Sequence, residues 1–218
     1  MELLKYFNEN QYNNVIHKCS NYFEVYERHF RPFVDKKIKV LEIGVSQGGS
    51  LKMWKAYFGK TAQIIGVDIN PKCKQLEEEQ IKIYIGDQSS VVFLRNLIKE
   101  EKFFDIIIDD GGHLANQQIT SFKELYYTLN DGGIYICEDL HTSYWEKYGG
   151  AYKKSGTFIE LIKNLIDELQ AFHSETPELK VNEFTKNTTG IHIYDGCVVF
   201  DKQSRIEPLI RKVGIRTI

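Results

Sequence analysis

The sequence has no marked excess of charge of either sign. Its 28 lysine and arginine residues are balanced by 30 aspartate and glutamate residues, which gives a formal net charge of −2. Proteins that bind nucleic acid through their overall electrostatic field carry a strong basic excess. We therefore expect no nucleic-acid partner.

Long hydrophobic runs are absent as well. No apolar stretch approaches the roughly 20 residues that a membrane-spanning helix requires, and the opening residues MELLKYFNEN lack the basic and apolar regions of a secretory signal peptide. Cysteine is scarce, and the four cysteines form no CxxC pair, so neither a disulfide framework nor a closed zinc site is expected. These features predict a cytoplasmic protein without a membrane span.

What the sequence does contain is the composition of a folded domain. Hydrophobic residues make up 42% and aromatic residues 13% of its 218 positions, which suits one α/β domain with a sizeable core. No linker divides the chain, so we predict a single domain over residues 1–218. Aromatic residues crowd positions 1–34, where apolar side chains recur at helical spacing until Pro32. We expect this segment to form a helical cover.

From residue 38 onward, short apolar runs alternate with helical stretches. This alternation is typical of a parallel sheet with helices on both faces. The predicted strands are 38–44, 62–69, 81–87, 103–110 and 133–140. The predicted helices are 50–58, 72–80, 90–100, 115–129 and 157–171.

The last predicted elements distinguish between two such folds. Residues 191–200 form two β-prone runs around Asp195 and Gly196, a signal for a tight hairpin. A dehydrogenase-type Rossmann fold instead adds a further parallel strand through a helical crossover. We therefore predict the α/β, Rossmann-like fold of class I S-adenosylmethionine methyltransferases, a mostly parallel seven-stranded sheet in the order 3-2-1-4-5-7-6.

A glycine-rich loop in residues 40–50 (VLEIGVSQGGS) links the first predicted strand to a helix. Gly44 lets the backbone turn sharply and approach a ligand. A dinucleotide-binding GxGxxG motif would need glycine at the position of Ser46, which disfavours an NAD-dependent oxidoreductase. The Glu42 carboxylate suits a sulfonium or amino group and would repel a phosphate. We predict S-adenosylmethionine as cofactor, with Glu42, Gly44 and Ser50 among its contacts.

Acidic residues also end the following predicted strands. Asp68 ends the second strand, where a carboxylate can accept hydrogen bonds from ribose hydroxyls. Asp87 ends the third, where methyltransferases commonly contact adenine. Asp109, near the end of the fourth, is also assigned to the cofactor; it is disfavoured as a metal ligand beside Asp110 because adjacent strand residues point to opposite faces. Acidic strand ends in register with the glycine-rich loop favour a cofactor site over an ordinary turn.

A second acidic group predicts a metal site. Asp110 follows the fourth strand, and Glu138 and Asp139 follow the fifth. These strands are neighbours in the predicted sheet, and their carboxyl ends open on the crevice where ligands bind. Converging carboxylates favour Mg²⁺, with Mn²⁺ or Ca²⁺ as the other candidates. The alternative is that some of these carboxylates only cap turns and helices.

Histidine and aromatic residues lie close to this acidic group. His113, three residues after Asp110, is the predicted general base. His141, Tyr144 and Trp145 follow the acidic pair in EDLHTSYW and are predicted substrate contacts, although a plain surface loop is the alternative. The other histidines are interpreted as structural: His17, His29, His173 and His192.

Several segments resemble the metal-dependent sugar O-methyltransferases: YFEVYERHF, KVLEIGVSQGGSLKMWKAYF, IIIDDGGH, CEDLHTSYW and IHIYDGCVVFDK. The likeness runs from about residue 20 to residue 202. It implies that Asp110, Glu138 and Asp139 bind Mg²⁺ and that His113 is the base. It also implies that Tyr22 or Tyr26 lines the cofactor pocket.

The implied reaction is methyl transfer to a sugar hydroxyl. The sugar would belong to a capsule, a lipopolysaccharide or an antibiotic, either free or as a nucleotide-activated precursor. A catechol-type O-methyltransferase, which uses the same metal chemistry on an aromatic diol, is the alternative enzyme. A non-catalytic binding module is disfavoured because the acidic group is intact. The sequence does not determine whether the protein forms a homo-oligomer.

Overall fold

A computed structural model describes residues 2–218, and these residues contain a seven-stranded sheet. The strands are β1 (Lys39–Ile43), β2 (Gln63–Asp68), β3 (Ile81–Ile85), β4 (Phe104–Asp109), β5 (Leu129–Cys137), β6 (Thr188–Ile193) and β7 (Val198–Lys202). Their order is β3-β2-β1-β4-β5-β7-β6, as predicted. Strands β1 to β5 pair in parallel, whereas β7 runs antiparallel to both β5 and β6.

Helices pack on both faces of this sheet. They are α1 (Glu2–Glu9), α2 (Tyr22–Phe30), α3 (Gly49–Phe58), α4 (Val91–Glu101), α5 (Ala115–Leu125), α6 (Phe158–Leu169) and α7 (Glu183–Asn187). Across residues 2–218, none of the helices has the length and apolar character needed to cross a membrane.

Two predicted helices differ from the structure. The helix expected over 72–80 is wrong: a short 3-10 helix, Pro71–Leu76, stands in its place. It ends because Glu77 adopts an extended backbone and its carboxylate accepts hydrogen bonds from Ile83 N and Lys74 Nζ. The helix expected over 115–129 ends at Leu125, and a further 3-10 turn leads directly into β5.

The core has two layers, one on each face of the sheet. The first contains side chains from α1, α2 and α3, among them Leu3, Tyr26 and Trp54. The second contains side chains from α4, α5 and α6, among them Leu94 and Phe122. Because α1 and α2 pack within the first layer, the predicted N-terminal cover is part of the folded core.

Strand register determines where the acidic residues meet. Ile43 at the end of β1 lies opposite Asp109 of β4, and Asp109 lies opposite Cys137 of β5. The next residues, Asp110 and Glu138, therefore leave neighbouring parallel strands at the same edge. This edge is the carboxyl end of the sheet, where ligands bind in open α/β folds.

Candidate active site

The glycine-rich loop begins at a position that only glycine can occupy. Gly44 has a φ of +97°, and a Cβ placed there would lie 2.0 Å from the carbonyl oxygen of Asp110. The backbone N–H of Gly44 donates to the Val67 carbonyl at 2.8 Å. The loop thus runs tightly between β2 and the residues after β4.

Asp68 fixes the shape of this loop. Its Oδ2 accepts hydrogen bonds from the backbone N–H groups of Val45 and Ser46, each at 2.9 Å, and its Oδ1 accepts from Asn70 N at 2.8 Å. The predicted ribose-binding carboxylate therefore also organises the glycine-rich loop.

A cavity of about 230 Å³ lies over the ends of β1, β2 and β4. Three of the predicted cofactor residues, Gly44, Asp68 and Asp87, line it together with Gln88 and Gly86. A second cavity of about 390 Å³ shares Gly44, Ser46, Asp110 and Gly111 with the first. The two cavities therefore form one continuous cleft.

The second cavity contains the predicted catalytic residues. Asp110, His113 and Asp139 line it, and their ligand atoms all lie within 4.8 Å of one another. His113 Nε2 is 3.3 Å from Asp139 Oδ2 and 3.9 Å from Asp110 Oδ1. The two carboxylates suit a divalent cation, since carboxylate oxygens are the ligands Mg²⁺ prefers, and the His113 imidazole lies beside them.

Backbone conformation at two of these residues is strained. His113 and Asp139 have φ values of 58° and 53°, in the left-handed region that non-glycine residues rarely adopt. Thr142 Oγ1 lies 3.2 Å from the His113 carbonyl oxygen and 2.8 Å from that of Asp139, connecting the two loops. His113 Nδ1 is buried without a hydrogen-bond partner. Such strain and unpaired polar atoms concentrate at functional sites.

Glu138, the third predicted metal ligand, lies outside this group. Its Oε1 accepts a hydrogen bond from the Tyr26 hydroxyl at 2.6 Å, and both of its oxygens lie 3.1 Å from Lys18 Nζ. Lys18 also contacts Asp110 and Glu42. No sequence motif marked Lys18, which lies just before α2 in the segment interpreted only as a helical cover.

The remaining predicted cofactor residues have different surroundings. Glu42 is fully buried, pairs with Lys18 and accepts a hydrogen bond from Ser50 Oγ at 2.7 Å, while Ser50 itself lines the second cavity. Tyr22 lines neither cavity: its hydroxyl lies 2.9 Å from Asp139 Oδ1 and accepts a hydrogen bond from Asp139 N. Tyr22 therefore supports a predicted metal ligand.

Asp109 points away from the cleft. Its carboxylate accepts hydrogen bonds from Tyr135 Oη and Gln88 Nε2, both at 3.0 Å. Complete burial raises the pKa of Asp109 to about 7. The alternation of side chains along β4 sends Asp110 toward the cleft and Asp109 to the opposite face. Its position does not support the predicted contact with a cofactor.

Two of the three predicted substrate residues line the second cavity, and one does not. His141 and Trp145 line the second cavity with their rings 4.7 Å apart, and Tyr148 packs 5.9 Å from Trp145. Tyr144 is half exposed and does not line this cavity. The aromatic wall therefore consists of His141, Trp145 and Tyr148.

A second cluster brings together two histidines that the sequence left without context. His29, His192 and Asp201 have ligand atoms within 4.8 Å of one another. His192 Nε2 pairs with Asp201 at 2.6 Å, and His29 Nε2 pairs with the Tyr194 hydroxyl at 2.8 Å. These groups satisfy one another, which fits the structural role predicted for both histidines.

Comparisons with known proteins show which proteins the chain is similar to. No protein-family model matches the chain. The chain is 38% identical over 197 residues to 8-demethyl-8-(2-methoxy-alpha-L-rhamnosyl)-tetracenomycin-C 3'-O-methyltransferase of Streptomyces olivaceus, covering 85% of this chain and 50% of the relative. It is 37% identical over 190 residues to mycinamicin VI 2''-O-methyltransferase of Micromonospora griseorubida, covering 81% and 47%. The chain spans about half the length of the curated relatives it matches.

Solved structures give the same result. One similar structure is the MycE methyltransferase from the mycinamycin biosynthetic pathway, in complex with Mg, SAH and mycinamycin VI. It has a TM-score of 0.82 and 34% identity to this chain, and the match covers 93% of this chain and 53% of the MycE chain. A putative caffeoyl-CoA O-methyltransferase from Staphylococcus aureus, at 16% identity and a TM-score of 0.56, covers 92% of this chain and 90% of its own, and shares the fold alone. The chain therefore has the class I S-adenosylmethionine methyltransferase fold and, as the sequence motifs predicted, is related over most of its length to the sugar O-methyltransferases.

Proposed function

We propose that this protein is an S-adenosylmethionine-dependent, metal-assisted O-methyltransferase that acts on a sugar hydroxyl. The observation that carries this proposal is the grouping of Asp110, His113 and Asp139 within 4.8 Å. This group lies at one end of a cleft whose other end is the glycine-rich loop with Asp68 and Asp87. One cleft thus offers a place for a nucleoside cofactor and a place to activate a hydroxyl.

The cofactor would lie along the first cavity. Asp68 and Asp87 are placed to accept hydrogen bonds from hydroxyl and amino groups of an adenosyl moiety. Gly44 lets the cofactor approach the backbone closely. The relative MycE has been solved with SAH, the demethylated form of this cofactor, which supports the assignment.

Asp110 and Asp139 would hold Mg²⁺ or Mn²⁺, with Glu138 beside them. The metal would lower the pKa of a bound hydroxyl and position it. His113 would take the hydroxyl proton at Nε2, the ring nitrogen that faces both carboxylates. The resulting oxygen nucleophile would attack the methyl carbon as the bond from carbon to sulfur breaks, leaving a methyl ether, a neutral thioether and a protonated His113.

The aromatic wall supports a ring-shaped acceptor. His141, Trp145 and Tyr148 form an apolar surface beside the acidic group, suited to packing against a sugar face. The names of the relatives describe methylation on rhamnosyl and other antibiotic sugars. We propose an antibiotic, capsule or lipopolysaccharide sugar, free or nucleotide-activated, as the acceptor.

The test is a methyl-transfer screen with labelled S-adenosylmethionine. The acceptors are sugar glycosides, nucleotide-activated sugars and catechols at matched concentrations. We expect label in one sugar class and background counts in catechols. Transfer to catechols alone would overturn the sugar assignment and favour a catechol-type enzyme.

We also propose a cytoplasmic homo-oligomer. The four cysteines are free, as in proteins of reducing compartments. Beyond β7, the large apolar side chains of the final segment stand in solvent, among them Ile210, Val213 and Ile215, each more than 90% exposed. Large apolar side chains gathered in one exposed segment are typical of protein interfaces. Light scattering should therefore give a mass above the 25.4 kDa of one chain.

A further inference from the structure

Lys18 is a buried cation at the centre of the acidic strand ends. Its side chain is 1% exposed. Its Nζ lies 3.1 Å from Glu42 Oε1, 2.7 Å from Asp110 Oδ2 and 3.1 Å from Glu138 Oε1. The rings of Tyr26 and Trp54 lie 5.9 and 5.8 Å from the same atom. One ammonium group thus joins residues that follow or belong to three different strands.

The ammonium group is surrounded by compensating charge, because carboxylate oxygens of Glu42, Asp110 and Glu138 all lie within 3.1 Å of Nζ. A buried charge is stable only when opposite charges and hydrogen bonds surround it. The converse also holds: without Lys18, these carboxylates would repel one another, and two of them, Glu42 and Glu138, are buried.

Asp110 connects this cation to the proposed metal group. Its Oδ2 contacts Lys18 at 2.7 Å, while its Oδ1 faces His113 Nε2 at 3.9 Å. Lys18 therefore holds one oxygen and turns the other toward His113 and Asp139. Glu138 is held through both oxygens by the same ammonium. Lys18 thus contacts two of the three predicted metal ligands, and at Glu138 it acts together with the Tyr26 hydroxyl.

We propose that Lys18 is a positioning residue, an internal counter-ion that holds Asp110 and Glu138 in place before a metal ion binds. This inference rests on the proposed function, because the carboxylates it orients are the proposed metal ligands. It assigns a role to the segment between α1 and α2, which brings Lys18 into the site. It also predicts that a divalent cation can replace part of what Lys18 contributes.

The test compares thermal unfolding in EDTA and in saturating Mg²⁺ for the wild type, Lys18→Met and Lys18→Arg. In EDTA, Lys18→Met should lower Tm by roughly 5–15 °C, because buried carboxylates lose their counter-ion. Mg²⁺ should restore at least about half of the lost Tm, because a bound Mg²⁺ can offset the repulsion between the carboxylates. Lys18→Arg keeps the charge and should resemble the wild type.

Lys52→Met is the matched control. Lys52 also contacts the segment between α1 and α2, through Asn14 Oδ1 at 2.9 Å, but at the surface and away from the acidic group. Any loss of Tm in this variant should be small and equal in EDTA and in Mg²⁺.

Binding of Mn²⁺, followed by electron paramagnetic resonance, gives a second readout that a purely structural lysine would not change. We expect Lys18→Met to retain one Mn²⁺ per chain with higher affinity than the wild type, because the ammonium group that competes with the metal for Asp110 and Glu138 is gone. A Tm deficit that Mg²⁺ leaves unchanged, or a Lys18→Met protein that fails to fold even in Mg²⁺, would overturn the proposal. A Lys18→Met protein with the same Tm as the wild type in EDTA would also overturn it. Because none of these measurements uses methyl transfer, failure of the proposed function would be seen separately, in the acceptor screen.

Discussion

Asp139 shows how single residues shape this site. Its backbone has a φ of 53°, a conformation that costs of order 1–3 kcal/mol for a residue other than glycine. The Tyr22 hydroxyl offsets part of this cost by contacting both the carboxylate and the backbone N–H of Asp139. The strain directs the carboxylate toward His113, and Tyr22 holds it there.

Glu101 provides a residue-scale prediction away from the cleft. It pairs with Lys39 at 2.7 Å, at the start of β1 and so at the opposite end of the sheet. Burial raises the pKa of Glu101, but hydrogen bonds from Lys39, Tyr84 and Lys82 outweigh burial and lower it from 4.5 to about 2. Between these values the unfolded chain binds the proton more readily than the folded one. Ionised Glu101 therefore stabilises the fold above pH 4.5, and this contribution is lost as pH falls toward 2.

We expect Glu101→Gln to lower the free energy of unfolding by about 1–3 kcal/mol at neutral pH. The difference from the wild type should shrink as denaturation is repeated at lower pH. Glu100→Gln, whose side chain is 62% exposed, is the control and should change little at any pH. A deficit for Glu101→Gln that stays constant down to the lowest pH would contradict the assignment.

At the residue scale, the sequence indicated which residue types gather at the site better than it indicated which way each side chain points. Asp110, His113 and Asp139 could be found because their residue types follow strand ends in a known order. Lys18 could not, because its partners are distant in sequence and only the path of the segment before α2 brings it to them. Asp109 is buried away from the cleft, where it accepts hydrogen bonds from Tyr135 and Gln88, and the sequence did not indicate these partners.

The terminal hairpin links the sheet to the site at the scale of elements. Its turn residue Gly196 has a φ of +82°, and its carbonyl accepts hydrogen bonds from Leu140 N at 2.8 Å and from the Tyr22 hydroxyl at 3.0 Å. A Cβ at this position would lie 2.5 Å from that hydroxyl. The turn between β6 and β7 therefore packs directly on the tyrosine that supports Asp139.

Gly196→Ala should lower the free energy of unfolding by about 2–3 kcal/mol and weaken metal binding, because Tyr22 must move. Gly156→Ala is the matched control: its φ is +84°, but a Cβ there has nothing within 4 Å. It should cost about 1 kcal/mol, with metal affinity unchanged. Chemical denaturation and Mn²⁺ titration of both variants measure the difference. Equal effects in the two variants would show that the contact with Tyr22 contributes nothing.

Element boundaries were less predictable than the elements themselves. The parallel strands were recognisable from continuous apolar runs, and the hairpin from Asp195 and Gly196. The segment after β2 was not, because hydrogen bonds from Ile83 and Lys74 to the Glu77 side chain end the helical turn early. The contact with Ile83 involves β3, and no local pattern reveals it.

At the scale of the whole molecule, the order of the sheet determines where the cleft lies. Parallel strands β1, β4 and β5 deliver the glycine-rich loop, Asp110 and Asp139 to one edge. Alternating strands and helices with a closing hairpin indicated the methyltransferase fold, and the predicted strand order is the one typical of that fold. How the residues are distributed between the two cavities could be seen only in the structure, because no sequence pattern shows which side chains line each cavity.

The most direct test of the central claim is the metal dependence of methyl transfer to a sugar acceptor. The initial rate should fall at least about 100-fold in EDTA and return when Mg²⁺ is added back. Asp139→Ala should show no transfer while still being stabilised by S-adenosylhomocysteine in a thermal-shift assay. Full, EDTA-resistant transfer by Asp139→Ala would contradict the account.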